Sequence, residues 1–281
     1  RLDRPIGVYL LMWPTLWALW FAAEGIPSLK TLSIFLVGLV VMRAAGCVIN
    51  DYADRDIDGL VERTKTRPLP AGEITPNQAL WLCGGLLFTA LILVLMTNPL
   101  TIALSFGGLA VTAIYPFMKR FTHLPQIGLG VAWAWVVPMA FAAHREELPW
   151  ELWLIFAAIV VWTVAFDTYY AMVDRADDLK IGVKSTAVLF GRYDLAMIVL
   201  LQTATLVLMF LVGLEFQRSW IYFFGLLVAA AFFANQFRHA RHRERQACFA
   251  AFLSNHRVGM VIFIGIALDY VCEGLPLASY F

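Results

Sequence analysis

The chain has 281 residues, of which 61% are hydrophobic and only 15% charged, whereas soluble domains run at about 45–50% apolar and about 25% charged. Its apolar runs recur along the whole length, each long enough to cross a hydrocarbon core of roughly 30 Å, so a water-soluble globular enzyme is excluded. The net charge of +1 says little by itself, and no nucleic-acid partner is expected; the placement of the charges says more.

The pattern predicts an all-α polytopic membrane protein, one domain over 1–281 with nine transmembrane helices in a single bundle. The spans fall at about 8–23, 31–50, 77–96, 99–115, 125–143, 151–173, 195–213, 219–237 and 258–272. Breakers separate them: Pro27, Pro68 and Pro70, Asn98-Pro99, Pro125, Pro149 and Gly191. The first run, Val8 to Ala23, lacks the small-residue cleavage site of a signal peptide and simply begins the series. Cys47, Cys83, Cys248 and Cys272 form no CxxC pair and read as small buried hydrophobes.

Nine spans put the N-terminus and every even-numbered loop on one side. Every Lys and Arg falls there except Lys30, Arg145, Arg218 and the intramembrane Arg43. Basic residues concentrate in cytoplasmic loops, so that side is expected to face the cytoplasm of a bacterial inner membrane.

Two acidic segments stand where the second and sixth spans reach this side. The first reads Asn50-Asp51-Tyr-Ala-Asp54-Arg55-Asp56-Ile-Asp58. If the helix continues, Asn50, Asp54 and Asp58 share one face. The second places Asp167, Asp174 and Asp178 on one stripe. Both contain D-R-x-x-D, four spans apart, so a parallel repeat sets them at the same membrane surface. Matching carboxylate faces repel, and a divalent cation relieves this: Mg²⁺ takes hard oxygen ligands from one or two carboxylates and completes its shell with water and phosphate oxygens. Neither cluster includes His or Cys, which argues against zinc.

Blander readings compete. Acidic helix ends are often only solvated faces, but two clusters in register, each followed by basic residues, weigh against that. Asp54-x-Asp56-x-Asp58-Gly59 matches the start of an EF-hand, yet Lys65 stands where the loop needs its bidentate Glu. Ion-pathway acids usually lie near the midplane, and these lie at helix ends.

Basic residues follow each cluster: Arg63, Lys65 and Arg67 after the first, Lys180 and Lys184 after the second, with Lys119 and Arg120 ending the fourth span. Carboxylates for a metal together with Lys and Arg for phosphate oxygens compose a site for a diphosphate leaving group. Arg43 lies seven residues before Asn50 on the same face; it either pairs with Asp167 or another acid or grips a substrate carboxylate. The stretch Arg238-His239-Ala-Arg241-His242-Arg243 reads as a contact for anionic lipid rather than a metal pair.

These motifs resemble the UbiA-type membrane prenyltransferases. The resemblance rests on Asn50-Asp51-x-x-Asp54-x-x-x-Asp58, Arg63-Thr64-x-x-Arg67-Pro68, Tyr115-Pro116-x-x-Lys119-Arg120 and Asp174-x-x-x-Asp178 running into Leu179-Lys180-Ile-Gly182-Val-Lys184-Ser185. It implies Mg²⁺ sites made from Asn50, Asp51, Asp54 and Asp58 and from Asp174 and Asp178. It also implies diphosphate contacts at Arg63, Arg67, Lys119 and Lys184. Arg4-Pro5-Ile6-Gly7 with the Trp13-to-Thr15 stretch resembles the branch that prenylates 4-hydroxybenzoate. The expected substrates are then a polyprenyl diphosphate, its tail leaving the bundle sideways into lipid, and 4-hydroxybenzoate bound through Arg43, with Asp167 and Tyr170 also at the substrate. Tyr115 and Tyr170 offer ring faces to an allylic cation. A relative acting on another acceptor and a cation-coupled transporter stand as the rivals.

Overall fold

A computed structural model describes residues 5–56, 58–60 and 64–273. Among these residues the chain is mostly helical, with no strand. The helices are α1 (Ile6–Ala23), α2 (Leu29–Asp54), α3 (Pro76–Leu95), α4 (Pro99–Met118), α5 (Pro125–Ala134), α6 (Val136–Arg145), α7 (Leu152–Ile181), α8 (Thr186–Phe190), α9 (Asp194–Glu215), α10 (Trp220–Ala240) and α11 (Arg245–Glu273). Single 3₁₀ turns stand at Asp58–Leu60 and Gly191–Tyr193. Nine stretches among the described residues are long and apolar enough to cross a membrane, α5 with α6 forming one and α8 through α9 another. That is the number the sequence predicts.

Local chemistry sets the starts. Ser28 accepts the Thr31 N–H at 3.2 Å to open α2, and Asn98 accepts that of Thr101 at 2.9 Å to open α4. Thr75 and Gln78 form a reciprocal capping box ahead of Pro76 at α3. The fifth span breaks at Trp135 because Pro138 cannot donate, and its ring crowds the carbonyl of Ala134 where α5 ends.

Three helices overrun the membrane, and this places the site. α2 and α7 have 26 and 30 residues, or ~39 and ~45 Å at the helical rise, against a hydrocarbon core of ~30 Å. Asp51 and Asp54 stand on the C-terminal surplus of α2; Asp174 and Asp178 stand on that of α7. The third case overturns an expected boundary. α11 starts at Arg245, not near 258, so Arg257 belongs to a helix rather than to a loop. Polar Ser254, Asn255 and His256 interrupt the apolar run, but Asn255 is buried against the Trp162 indole, which donates to it at 3.1 Å. Arg257 itself is exposed and long enough to snorkel toward the interface.

α7 runs through the middle of the core, with Ile155, Ala158, Trp162, Ala165 and Tyr169 fully buried. α10 and α11 approach closely at Gly225 and Gly265; a Cβ on Gly225 would lie 3.1 Å from the Gly265 Cα. At the end opposite the acidic segments, Asp269 of α11 is fully buried. It accepts from the Ser219 hydroxyl, from the Ser219 and Tyr222 N–H groups and from Arg218. It therefore caps α10 from a neighbouring helix, a structural duty that removes it from any ion pathway. Breaking a buried pair by deleting one partner costs about 3–5 kcal/mol. Asp269→Ala is expected to lower the thermal midpoint in detergent while leaving ligand-induced stabilisation at the far end unchanged; an unaltered midpoint would refute the capping role.

Candidate active site

The first acidic segment does not continue as one helix, contrary to the i, i+4, i+8 expectation. α2 ends at Asp54, and Asp58 stands in a separate 3₁₀ turn. It is nonetheless buried, as is Asp54, because the chain beyond it folds back. Thr64 donates to the Asp58 carbonyl at 2.8 Å. Arg67 Nη1 reaches Asp58 Oδ2 at 2.5 Å and Asp51 Oδ1 at 3.0 Å. Lys119, at the end of α4, forms an ion pair with Asp54 Oδ2, and Arg120 donates to the Ala53 carbonyl at 2.5 Å. Thus Arg67 and Lys119 rest on carboxylates, at the place where a phosphate group would meet them.

The second segment matches its predicted stripe, with Asp167, Asp174 and Asp178 all on α7. Arg175 turns aside to Asp194, the fully buried first residue of α9, at 3.1 Å. Arg243, from the turn between α10 and α11, reaches the same carboxylate at 2.7 Å. The hydrogen bonds to Asp194 raise the Arg243 guanidinium above its ordinary pKa. The two D-R-x-x-D motifs therefore differ in use: Arg55 is 40% exposed and donates to the Tyr52 carbonyl, whereas Arg175 ties α7 to α9.

Both segments face one cavity of about 630 Å³. Its wall includes Arg43, Asn50, Asp51, Asp54, Asp58, Arg67, Tyr115, Lys119, Asp167, Tyr170, Asp174, Asp178 and Lys184, which unites every predicted site residue except Arg63. Arg63 lies outside the described residues. Lys184 is anchored by its N–H to the Lys119 carbonyl at 3.3 Å and by its Nζ to the Phe121 carbonyl at 3.1 Å. Sequence reasoning missed Thr64, Gln126, Trp133, Phe166, Phe249 and Phe252, which also line the cavity. The i, i+3 spacing of Phe249 and Phe252 would mark them had α11 been started at Arg245. Trp133 carries no such signal.

Arg43 lies deeper, its Cζ 5.9 Å from the Trp133 ring centroid. Among the described residues no carboxylate pairs with it, so the internal pair with Asp167 is not formed. Gly7 leaves it room, since a Cβ there would stand 2.8 Å from the Arg43 Cζ. Arg43, Tyr115 and Trp133 also border a second, apolar cavity of about 260 Å³ whose wall includes Leu11, Phe35, Met42, Leu91 and Met139.

The residues suit a divalent cation. The donors are all oxygens, and Asp54 Oδ1 is buried with no hydrogen-bond partner among the described residues, a costly state unless something positive completes it. Among the described residues no three acids form a ready-made cage, an arrangement that matches an ion completing its shell with phosphate oxygens and water.

The profile of the UbiA prenyltransferase family matches residues 11–263. The chain belongs to that family. It is 58% identical to 4-hydroxybenzoate octaprenyltransferase of Azotobacter vinelandii, over 96% of this chain and 92% of that one. The enzyme of the same name from Chromohalobacter salexigens is 59% identical over 96% and 90%. Among solved structures, a UbiA homologue from Aeropyrum pernix shares the fold with a TM-score of 0.84 at 24% identity, covering 95% of this chain and 98% of its own. A homologue from Archaeoglobus fulgidus bound to GPP and Mg²⁺ has a TM-score of 0.68 at 20% identity, covering 97% and 98%. This family member is thus a multi-pass membrane aromatic prenyltransferase.

Lys119 offers a check on the metal reading. Lys119→Met strips Asp54 of its counter-ion, so the ligand-free protein is expected to melt at a lower temperature. Mg²⁺ alone, without diphosphate, should then stabilise the variant more than the parent, because Lys119 no longer competes with the ion for Asp54. Equal shifts in the two proteins would remove Asp54 from the metal site.

Proposed function

We propose that this protein transfers a polyprenyl group from its diphosphate to the ring carbon ortho to the hydroxyl of 4-hydroxybenzoate. The observation that carries the reading is the convergence of Asp54, Asp58, Asp174 and Asp178 on one cavity with Arg67, Lys119 and Lys184 on its wall. The enzymes named 4-hydroxybenzoate octaprenyltransferase, similar along nearly the whole chain, support the substrate pair. The pairing implies a role in ubiquinone biosynthesis and a place in a bacterial inner membrane, with the cavity facing the cytoplasm as the basic loops indicate.

Asn50, Asp51, Asp54 and Asp58 on one side and Asp174 and Asp178 on the other would hold Mg²⁺. When bound, the ion supplies Lewis-acid neutralisation of charge on the departing diphosphate. Lys119, Arg67 and Lys184 bind the phosphate oxygens and add fixed positive charge where negative charge develops, in a site partly screened from bulk water. Arg63, next in the motif, would join them. The allylic C–O bond breaks, a C–C bond forms at the ring carbon, and the ring proton is lost, so diphosphate and a proton leave together with the prenylated acid. Tyr115, Tyr170, Phe166 and Phe252 enclose the allylic carbon with ring faces and exclude water; the Tyr170 and Phe252 rings pack at a tilt of 33° with centroids 4.6 Å apart. Arg43 grips the benzoate carboxylate and turns the ortho carbon toward the cation. Asp167 lies on the cavity wall between Arg43 and the metal-side acids, beside the substrate. The long isoprenoid tail runs out sideways into lipid.

The test is turnover of 4-hydroxybenzoate and a polyprenyl diphosphate by purified protein in detergent. EDTA, Asp54→Ala and Asp174→Ala are each expected to abolish product with the fold intact, and activity surviving all three would sink the reading. The Arg43 assignment has its own readout. Losing a hydrogen-bonded charge pair costs about 1.5–3 kcal/mol, so Arg43→Ala should raise KM for the aromatic acid roughly 10–100-fold, with KM for the diphosphate unchanged. Gly7→Ala, which crowds the guanidinium, should move the same constant in the same direction; an unchanged acceptor KM in both variants would take Arg43 out of this role.

A further inference from the structure

The cations resting on the acidic segments follow a rule. Arg67 sits on Asp51 and Asp58, and Lys119 sits on Asp54. Both bases line the cavity and face the place where phosphate would bind. On the second segment Lys180 lies 3.9 Å from Asp177 within α7, and one cation reaches in from another helix: Arg245, the first residue of α11, whose Nη2 lies 3.6 Å from Asp174 Oδ1 and 3.7 Å from Asp177 Oδ2. Both separations exceed hydrogen-bond length, and the side chain is 51% exposed. Arg245 is therefore attracted to the acids without being committed to them.

Its placement is also controlled. Residues 245, 249 and 252 stand one and two turns apart on one face of α11, and Phe249 and Phe252 line the cavity. Arg245 thus stands one turn before Phe249 on that face, with its guanidinium toward Asp174, itself a residue of the cavity wall. Two residues earlier, Arg243 is fixed to the buried Asp194, which also holds Arg175 beside Asp174. The backbone that carries Arg245 is pinned to α7, and only the side chain is free to swing.

We propose that Arg245 is a further diphosphate-binding residue, resting on Asp174 in the ligand-free protein and turning to the phosphate oxygens when a cation takes that carboxylate. The inference rests on the function proposed above. It makes Arg245 to the second acidic segment what Arg67 and Lys119 are to the first. Its signal in the sequence was hidden among five arginines of one loop, where a general positive-inside bias accounts for each.

The experiment compares the parent, Arg245→Gln, Arg245→Lys and Arg241→Gln, the last an exposed arginine four residues away on the same turn. Binding of Mg²⁺ with an unreactive prenyl thiodiphosphate is read by the shift in melting temperature and by titration. Steady-state constants are measured for both substrates. Arg245→Gln is expected to weaken analogue binding and raise KM for the diphosphate about tenfold, one charge-assisted contact. KM for the aromatic acid should stay unchanged, Arg245→Lys should recover most of the loss, and Arg241→Gln should behave as the parent. A structural role would instead lower the melting temperature without ligand and depress both substrates together, and that result overturns the proposal. So does analogue binding by Arg245→Gln equal to the parent's. Failure of the parent itself to bind the analogue with Mg²⁺ would overturn the proposed function instead.

Discussion

Four buried carboxylates line one cavity of the helical bundle, and buried acids call for positive charge among them, a constraint that the architecture of that end follows. Water is scarce there, so repulsion between like charges is only weakly screened. The ligand-free protein supplies bases of its own: Arg67 reaches the buried Asp58 and the neighbouring Asp51, Lys119 holds the buried Asp54, and Arg245 lies near the buried Asp174. A diphosphate with its cations brings both signs at once. Under the proposed function the acids would exchange lysine and arginine for metal, and the released bases would turn to phosphate. Binding on this view is an exchange of ion-pair partners rather than the filling of a preformed cage, which accounts for the lack of three converging acids among the described residues.

Helix length is what puts this exchange at the membrane boundary. α2 and α7 are each longer than the hydrocarbon is thick, and their surplus turns carry the acids clear of it. A shorter α7 would leave Asp174 in the bilayer core, where an ionised carboxylate is costly. A cytoplasmic loop would leave it too mobile to hold. α7 is anchored along its length, by the packing of Trp162 and Tyr169 in the core and by Arg175 on the buried Asp194 at its end. The site is as rigid as the helix that bears it.

Much of this was legible in the sequence, and the parts that were not share a cause. Apolar runs of membrane length and prolines between them give the number of spans, because the bilayer imposes one length on every helix. The acids of the second segment keep their helical spacing, so their stripe was readable. Asp58 also has the right spacing, yet it leaves α2. Arg67, nine residues further on, and Thr64 draw it into a separate turn, and no local pattern records such an attraction. α11 was cut short because Asn255 and His256 look like loop residues until Trp162, 93 positions away from Asn255, supplies a partner. With that helix went Phe249, Phe252 and Arg245. A helix that is apolar on every side gives no sign of which face meets a cavity.

Arg43 shows what separates a catalytic bundle from a merely stable one. It sits on α2 several turns inside the membrane boundary, where a guanidinium is costly unless paired. What it has is a ring, Trp133 at 5.9 Å, and a space kept open by Gly7. A cation–π contact returns about 0.5–2 kcal/mol, less than a carboxylate partner would. Stability alone would have filled the position with leucine or supplied an acid on α7 close enough to pair. An acceptor bearing a carboxylate supplies the missing charge only while bound, and leaves it missing when the product departs. Arg43 lines both the charged cavity and the apolar one, and under the proposed function such a residue would select for an acid at one end of the acceptor and an aromatic ring at the other.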